Sequence, residues 1–181
     1  MPLNSKIKVR FCANNSFYSR LIEWDGGLAF SHMANFLSDG SIVDAQLSPC
    51  GGQPAGVWVR PGNYLDSVPR WIDVEIPCTV GQAADWERLL LSQVKKPYDR
   101  IGILDFVDGS YSDRNCRSES AWFCSELGIW AQEGAGICPR LTSPTYKIAP
   151  GAAALIDMAL GGSIVASRGY VRARSGVLVP A

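Results

Sequence analysis

A single histidine, His32, stands against six cysteines in a chain of 181 residues. Thiol catalysis needs a sulfur that can ionise, a base that shares its proton and a third group that fixes the imidazole. If such chemistry operates here, His32 must be the base, and the open question is which cysteine it meets. Cys124 is the best-placed sulfur. It stands in Ser120-Ala121-Trp122-Phe123-Cys124-Ser125-Glu126-Leu127, at the head of an apolar stretch with helical character. With Ser118 or Ser120 as N-cap, Cys124 falls in the first turn or two, where the helix dipole favours a thiolate. Glu126 reads as a capping or salt-bridging residue rather than a reacting one. The competing reading is that a free cysteine on an apolar face only packs, and that a lone strand histidine is a satisfied core or surface residue.

The third group depends on a hairpin. Residues 28–37 read as a strand, Ser38-Asp39-Gly40 as a turn and residues 41–45 as a second strand. A three-residue loop with Gly40 in the left-handed conformation sets Leu37 opposite Ser41, Phe36 opposite Ile42, Ala34 opposite Asp44 and His32 opposite Gln46. His32 and Asp44 then share one face as diagonal neighbours. A two-residue loop, Asp39-Gly40, slips the register and sends Asp44 to the other face. Gly40 is placed for the three-residue turn, and the catalytic reading needs that pairing.

The other elements follow from periodicity. Residues 6–12 alternate as a strand, and the spacing of Phe17, Leu21 and Ile22 suits a short helix ending at Gly26-Gly27. Residues 47–69 are rich in Gly, Pro, Asn and Ser and read as a long surface connection, with a short strand at 56–60 and a role as a substrate wall. Residues 71–77 alternate as a strand. Thr79-Val80-Gly81-Gln82 matches a capping box, with Ala83, Trp86, Leu90 and Val94 at helical spacing, and Lys95 and Lys96 serve the helix's negative end. Residues 101–107 fit a helix or a strand equally well. Pro150 opens an alanine-rich helix that ends at Gly161-Gly162, and the alternating tail from residue 163 supplies an edge strand.

Composition narrows the classes of function. Seventeen basic side chains balance seventeen acidic ones, so no global field favours nucleic acid. Hydrophobic residues at 47% and charged ones at 19% describe one compact domain spanning residues 1–181. No apolar run has the length of a membrane span or of a secretory signal, which points to a cytoplasmic location with free thiols. The sequence lacks CxxC, so no metal site and no cofactor are expected.

Ser31-His32-Met33-Ala34, the Ser38-Asp39-Gly40 turn, Ile42-Val43-Asp44-Ala45, Lys96-Pro97-Tyr98-Asp99 and Phe123-Cys124-Ser125-Glu126-Leu127 together resemble the circularly permuted branch of the NlpC-like papain-fold cysteine peptidases, with lecithin retinol acyltransferase as a distant relative. The histidine strand preceding the cysteine helix agrees with the permuted order. The resemblance covers residues 17–160 and implies an α+β, papain-like fold: an antiparallel sheet of about four to six strands packed on one side by helices, including the nucleophile helix. It also implies Cys124 as nucleophile, His32 as general base and acid, and Asp44 as the orienting residue. Tyr98, Gln46 and Ser31 are the supporting or substrate-binding positions.

The expected activity is a cysteine peptidase, amidase or acyl transferase acting on a peptide, amide or lipid ester. It resembles small phage-encoded or prophage-encoded members, which would be virion-associated or released. The alternative is an inactive papain-fold module that binds a peptide or protein partner. A third reading, a redox sensor pairing Cys116 with Cys124, ranks below both.

Overall fold

A computed structural model describes residues 2–13, 30–100, 120–141, 148–172 and 178–180. Six strands form one antiparallel sheet: β1 (Ser5–Ala13), β2 (His32–Phe36), β3 (Ile42–Gln46), β4 (Gly56–Arg60), β5 (Arg70–Cys78) and β6 (Ser163–Arg168). Their spatial order is β4-β3-β2-β1-β5-β6. Among the described residues three helices accompany it: α1 (Val80–Leu91), α2 (Cys124–Gly134) and α3 (Pro150–Ala159). The tail adds a separate two-stranded sheet, β7 (Tyr170–Arg172) with β8 (Leu178–Pro180). The α+β class with an antiparallel sheet is therefore as expected. The tail departs from expectation in part: its edge strand is 163–168, while 170–172 turns away to pair with β8. The short helix expected at 17–22 and the ambiguous 101–107 lie outside the described residues.

Alternation explains the two faces of the sheet. Ile7, Val9 and Phe11 of β1, Met33 of β2, Val43 and Ala45 of β3, and Ile72, Val74 and Ile76 of β5 share one buried cluster with Trp86 and Leu90 of α1, Leu127 and Ile129 of α2, and Ala153 and Ala154 of α3. The helices thus cover one face. Gly128 lets α2 approach β2 closely, since a Cβ there would collide with the Met33 side chain and come within 3.1 Å of Asn35 Oδ1. On the opposite face Cys12, Ala34, Phe36 and Ile42 pack with Leu65 and, at its margin, Tyr64 and Trp71. Here the chain between β4 and β5 serves as the cover.

Local chemistry sets the element ends. Thr79 caps α1 with a full capping box: its side chain accepts from Gln82 N at 3.2 Å, and Gln82 Oε1 accepts from Thr79 N at 2.9 Å. Yet α1 stops at Leu91, short of Val94, and Lys95 and Lys96 lie beyond its last turn. Those residues are diverted to the edge of the sheet, where Val57 N donates to Lys96 O at 2.9 Å and Lys95 N donates to Val57 O at 2.8 Å. Pro150 occupies the first turn of α3 as expected.

Candidate active site

The β2–β3 hairpin places the first two site residues. Gly40 has φ +84°, Gly40 N donates to Leu37 O at 3.0 Å and Leu37 N donates to Ser41 O at 2.8 Å. The three-residue turn is therefore the one adopted, and Phe36 pairs with Ile42. Asp44 falls on the face of His32, and His32 Nε2 lies 2.7 Å from Asp44 Oδ2.

Cys124 arrives from the other side of the molecule's architecture. Tyr98 and Trp122 form a parallel bridge, with Trp122 N donating to Pro97 O at 3.1 Å and Asp99 N donating to Trp122 O at 3.0 Å. This keeps the chain extended through Trp122, so α2 begins only at Cys124. Its cap is Phe123, which makes no side-chain cap hydrogen bond. The expected N-cap is corrected accordingly: Ser120 precedes the bridge and does not cap, and Ser118 lies outside the described residues. Cys124 gains from the shift, because it becomes the first helical residue, at the positive end of the dipole. Ser125 anchors this turn by donating to Ile148 O at 2.7 Å.

His32 opens β2 and Cys124 opens α2, so the two meet at element ends. Cys124 comes near enough to the His32 ring to act on its charge. Since Asp44 occupies Nε2, the ring nitrogen left for sulfur is Nδ1. His32 is 13% exposed, Cys124 4% and Asp44 0%. Burial opposes a charge on the imidazole, but the attraction of Cys124 and the hydrogen bonds to Asp44 and Cys124 outweigh it, raising the His32 pKa to about 10. Burial likewise opposes charge on Asp44; its bond to His32, the charges of His32 and Arg60 and the Tyr64 hydroxyl win, holding the carboxyl below its ordinary value. The result is an imidazolium paired with the Asp44 carboxylate.

The supporting positions separate. Gln46 joins the site: its Nε2 donates to Asp44 Oδ2 at 2.9 Å and to the Tyr64 hydroxyl at 2.9 Å. It also stands 2.9 Å from His32 Nε2. With Nε2–H directed at Asp44, that last approach sets two donors side by side on a shared acceptor. Tyr98 is half-buried beside the site, its phenol pushed up first by burial and then by its neighbours Cys124, Asp99, Asp44 and Glu126. Ser31 does not join: it is buried and its N and Oγ donate to Cys12 O, at 2.9 and 3.4 Å, which fastens the start of β2 to β1. Glu126 is buried in the first turn of α2 rather than at a cap. Cys12, Cys50, Cys78, Cys124 and Cys138 are free thiols; Cys116 lies outside the described residues.

Two residues go beyond the expected set. Arg60 closes β4, is fully buried and donates from Nη1 to Asp44 Oδ1 at 2.6 Å. Tyr64, in the turn after β4, donates its hydroxyl to Asp44 Oδ2. Both fall in the stretch whose Gly, Pro and Asn content reads as loop. The usable signal is parity: once β4 pairs antiparallel with β3, setting Arg60 opposite Ile42, Arg60 shares the face of Asp44.

No protein-family model matches the chain, and no curated protein matches it. Among solved structures, the crystal structure of metalloprotein YiiX from Escherichia coli O157:H7, a DUF1105 protein, is similar in fold, with a TM-score of 0.56 at 15% identity over 92% of this chain and 99% of that one.

Proposed function

We propose that this chain is a thiol hydrolase or acyl transferase of the permuted, papain-like type, acting on an amide or ester through Cys124, His32 and Asp44. One observation carries the reading: the chain's single imidazole is held by a buried carboxylate at 2.7 Å on one nitrogen, and the helix-head cysteine is near enough to act on its charge. That is the order of roles a cysteine nucleophile needs. Cys124 Sγ attacks the carbonyl carbon, forming the C–S bond. His32 gives its proton to the departing amine or alkoxide as the C–N or C–O bond breaks. Water, or another acceptor, then attacks the thioester while His32 takes its proton, and the thiolate leaves. The Cys124 N–H, with no intrahelical acceptor at the head of α2, is directed at the developing oxyanion.

The fold neighbour's description as a metalloprotein does not transfer to this donor set. Among the described residues no three His, Cys, Asp or Glu side chains converge to hold a metal ion. Asp44, the carboxylate nearest His32, already carries a guanidinium on Oδ1, and a second cation there would meet direct repulsion. Nor has any helix among the described residues the length and apolarity to cross a membrane.

A thiol-reactive acyl probe should label Cys124, lose the label in Cys124→Ala and label far more slowly in His32→Ala. Labelling indifferent to both changes would overturn the reading and leave a peptide-binding or protein-binding module of the same fold.

A further inference from the structure

The Asp44 carboxylate has two oxygens with separate duties. Oδ2 takes His32, Gln46 and Tyr64; Oδ1 takes Arg60. A carboxylate held at one oxygen alone rotates about its last torsion, which is broad, and swings the other oxygen away from the imidazole. Arg60 does not hold Asp44 by one bond. Its Nη1 also reaches Asp44 O at 3.2 Å, its Nε donates to Cys50 O at 3.2 Å and its Nη2 to Pro54 O at 2.9 Å and Gly56 O at 3.4 Å. The fork is thus fixed in its plane by carbonyls on two sides. The loop in turn is built onto it: Gly51, at φ +57°, sits so close that a Cβ would lie 3.1 Å from the Tyr64 ring and 3.2 Å from Arg60 Cδ.

We infer that Arg60 is a positioning residue for the site: its guanidinium, clamped by the Cys50–Gly56 turn, fixes the plane of Asp44 so that Oδ2 faces His32 Nε2. For turnover this rests on the thiol-hydrolase reading; the orientation of the imidazole does not. A lysine keeps the charge but has neither the plane nor the spread of donors, so Arg60→Lys separates geometry from charge.

The single histidine makes the test clean, because every imidazole signal belongs to His32. We expect Arg60→Lys, which keeps the charge, to lower the His32 titration midpoint by about one unit or more in two-dimensional NMR, tenfold in proton affinity, whereas Arg60→Gln also removes a cation and so lowers it less. Turnover of an activated ester should fall about 10²-fold in kcat, the scale for a misplacement of about 1 Å, with KM unchanged. In an Asp44→Asn background Arg60→Lys should change the His32 midpoint little, since the route through Asp44 is already cut. An Arg60→Lys variant that folds and leaves the midpoint in place overturns the inference, as does an equal shift in the Asp44→Asn background. Should both variants unfold alone yet fold with Asp44→Asn, the coupling is again seen, because an uncompensated buried Asp44 is then what unfolds them. Failure to fold in either background makes Arg60 a loop clamp only. If the wild-type midpoint and its coupling stand while the acyl probe leaves Cys124 unlabelled, it is the hydrolase reading that fails.

Discussion

Two buried arginine–aspartate pairs lie on the same face of the sheet, and they are spent differently. Arg10 and Asp73 face each other across β1 and β5. Arg10 Nε donates to Asp73 Oδ1 at 2.6 Å and Nη2 to Oδ2 at 3.0 Å, so both carboxylate oxygens are consumed by one fork. The guanidinium stacks 4.0 Å from the Trp71 ring and binds Asp66 at 2.5 Å with its remaining Nη1. Arg60 meets Asp44 with one nitrogen only and directs the rest of its fork to backbone carbonyls. Asp44 therefore keeps an oxygen for His32 and Asp73 keeps none. A bidentate pair closes on itself and holds strands together; a split pair transmits geometry to a third group.

The comparison breaks most visibly at the carboxylates. Asp44→Asn should lower kcat/KM on an activated ester by about 10²–10⁴-fold, the usual scale of general acid–base assistance, while Asp73→Asn leaves it within a few-fold. Steady-state kinetics on the two variants decides this, and equal losses would erase the distinction. Stability should show the complementary pattern. Asp73→Leu leaves the buried Arg10 with Asp66 alone and should cost about 3 kcal/mol in urea unfolding, whereas Arg10→Met with Asp73→Leu together recovers most of that loss.

Acid–base linkage sharpens the contrast. The His32 proton is held more tightly in the folded state, about 10 against 6.5, so its contribution is full below pH 6.5 and is lost as pH rises through about 10. Melting temperature should therefore fall across that window, His32→Gln should flatten the slope, and Arg10→Met should leave it. Asp157 adds a second slope. Burial raises its carboxyl to about 8, so its folded form binds the extra proton from the unfolded value of 3.8 upward and stability declines until about pH 8. Comparing slopes in an Asp157→Asn background isolates the His32 part below about pH 9, above which the buried thiols of Cys12 and Cys138, raised by burial, add their own decline.

The readable portion of the site was the portion governed by local rules. The Ser38-Asp39-Gly40 turn and the alternation around it bring His32 and Asp44 to one face, and the register needs only three residues of loop chemistry to be right. Arg60 was opaque because its meaning is non-local: it ends a short strand in a Gly- and Pro-rich stretch, and only the β3–β4 pairing reveals that it points at Asp44. The start of α2 was misplaced for a related reason. The two serines look like caps, but the Tyr98–Trp122 bridge, more than twenty residues apart in sequence, holds the chain extended past Ser120. The end of α1 was overrun in the same way, by Lys95 and Lys96 pairing with β4.

The smallest expected effect lies at the turn itself and tests whether the split pair depends on register. Gly40 adopts φ +84° with open space around its Cβ position, so Gly40→Ala meets no clash and bears only the left-handed backbone cost, about 1–2 kcal/mol. The Arg10–Asp73 pair joins β1 to β5, which this turn does not connect, and should survive any slip of the hairpin. If the β2–β3 pairing holds, Gly40→Ala loses stability and keeps the His32 midpoint near 10. If instead the strand relieves the strain by slipping one residue, Asp44 turns to the helix face, the midpoint drops and turnover falls with it, while the β1–β5 amide protons stay as protected from exchange as in the wild type. Stability, titration and exchange read on one variant thus show whether a single left-handed glycine is what aims Asp44 at His32.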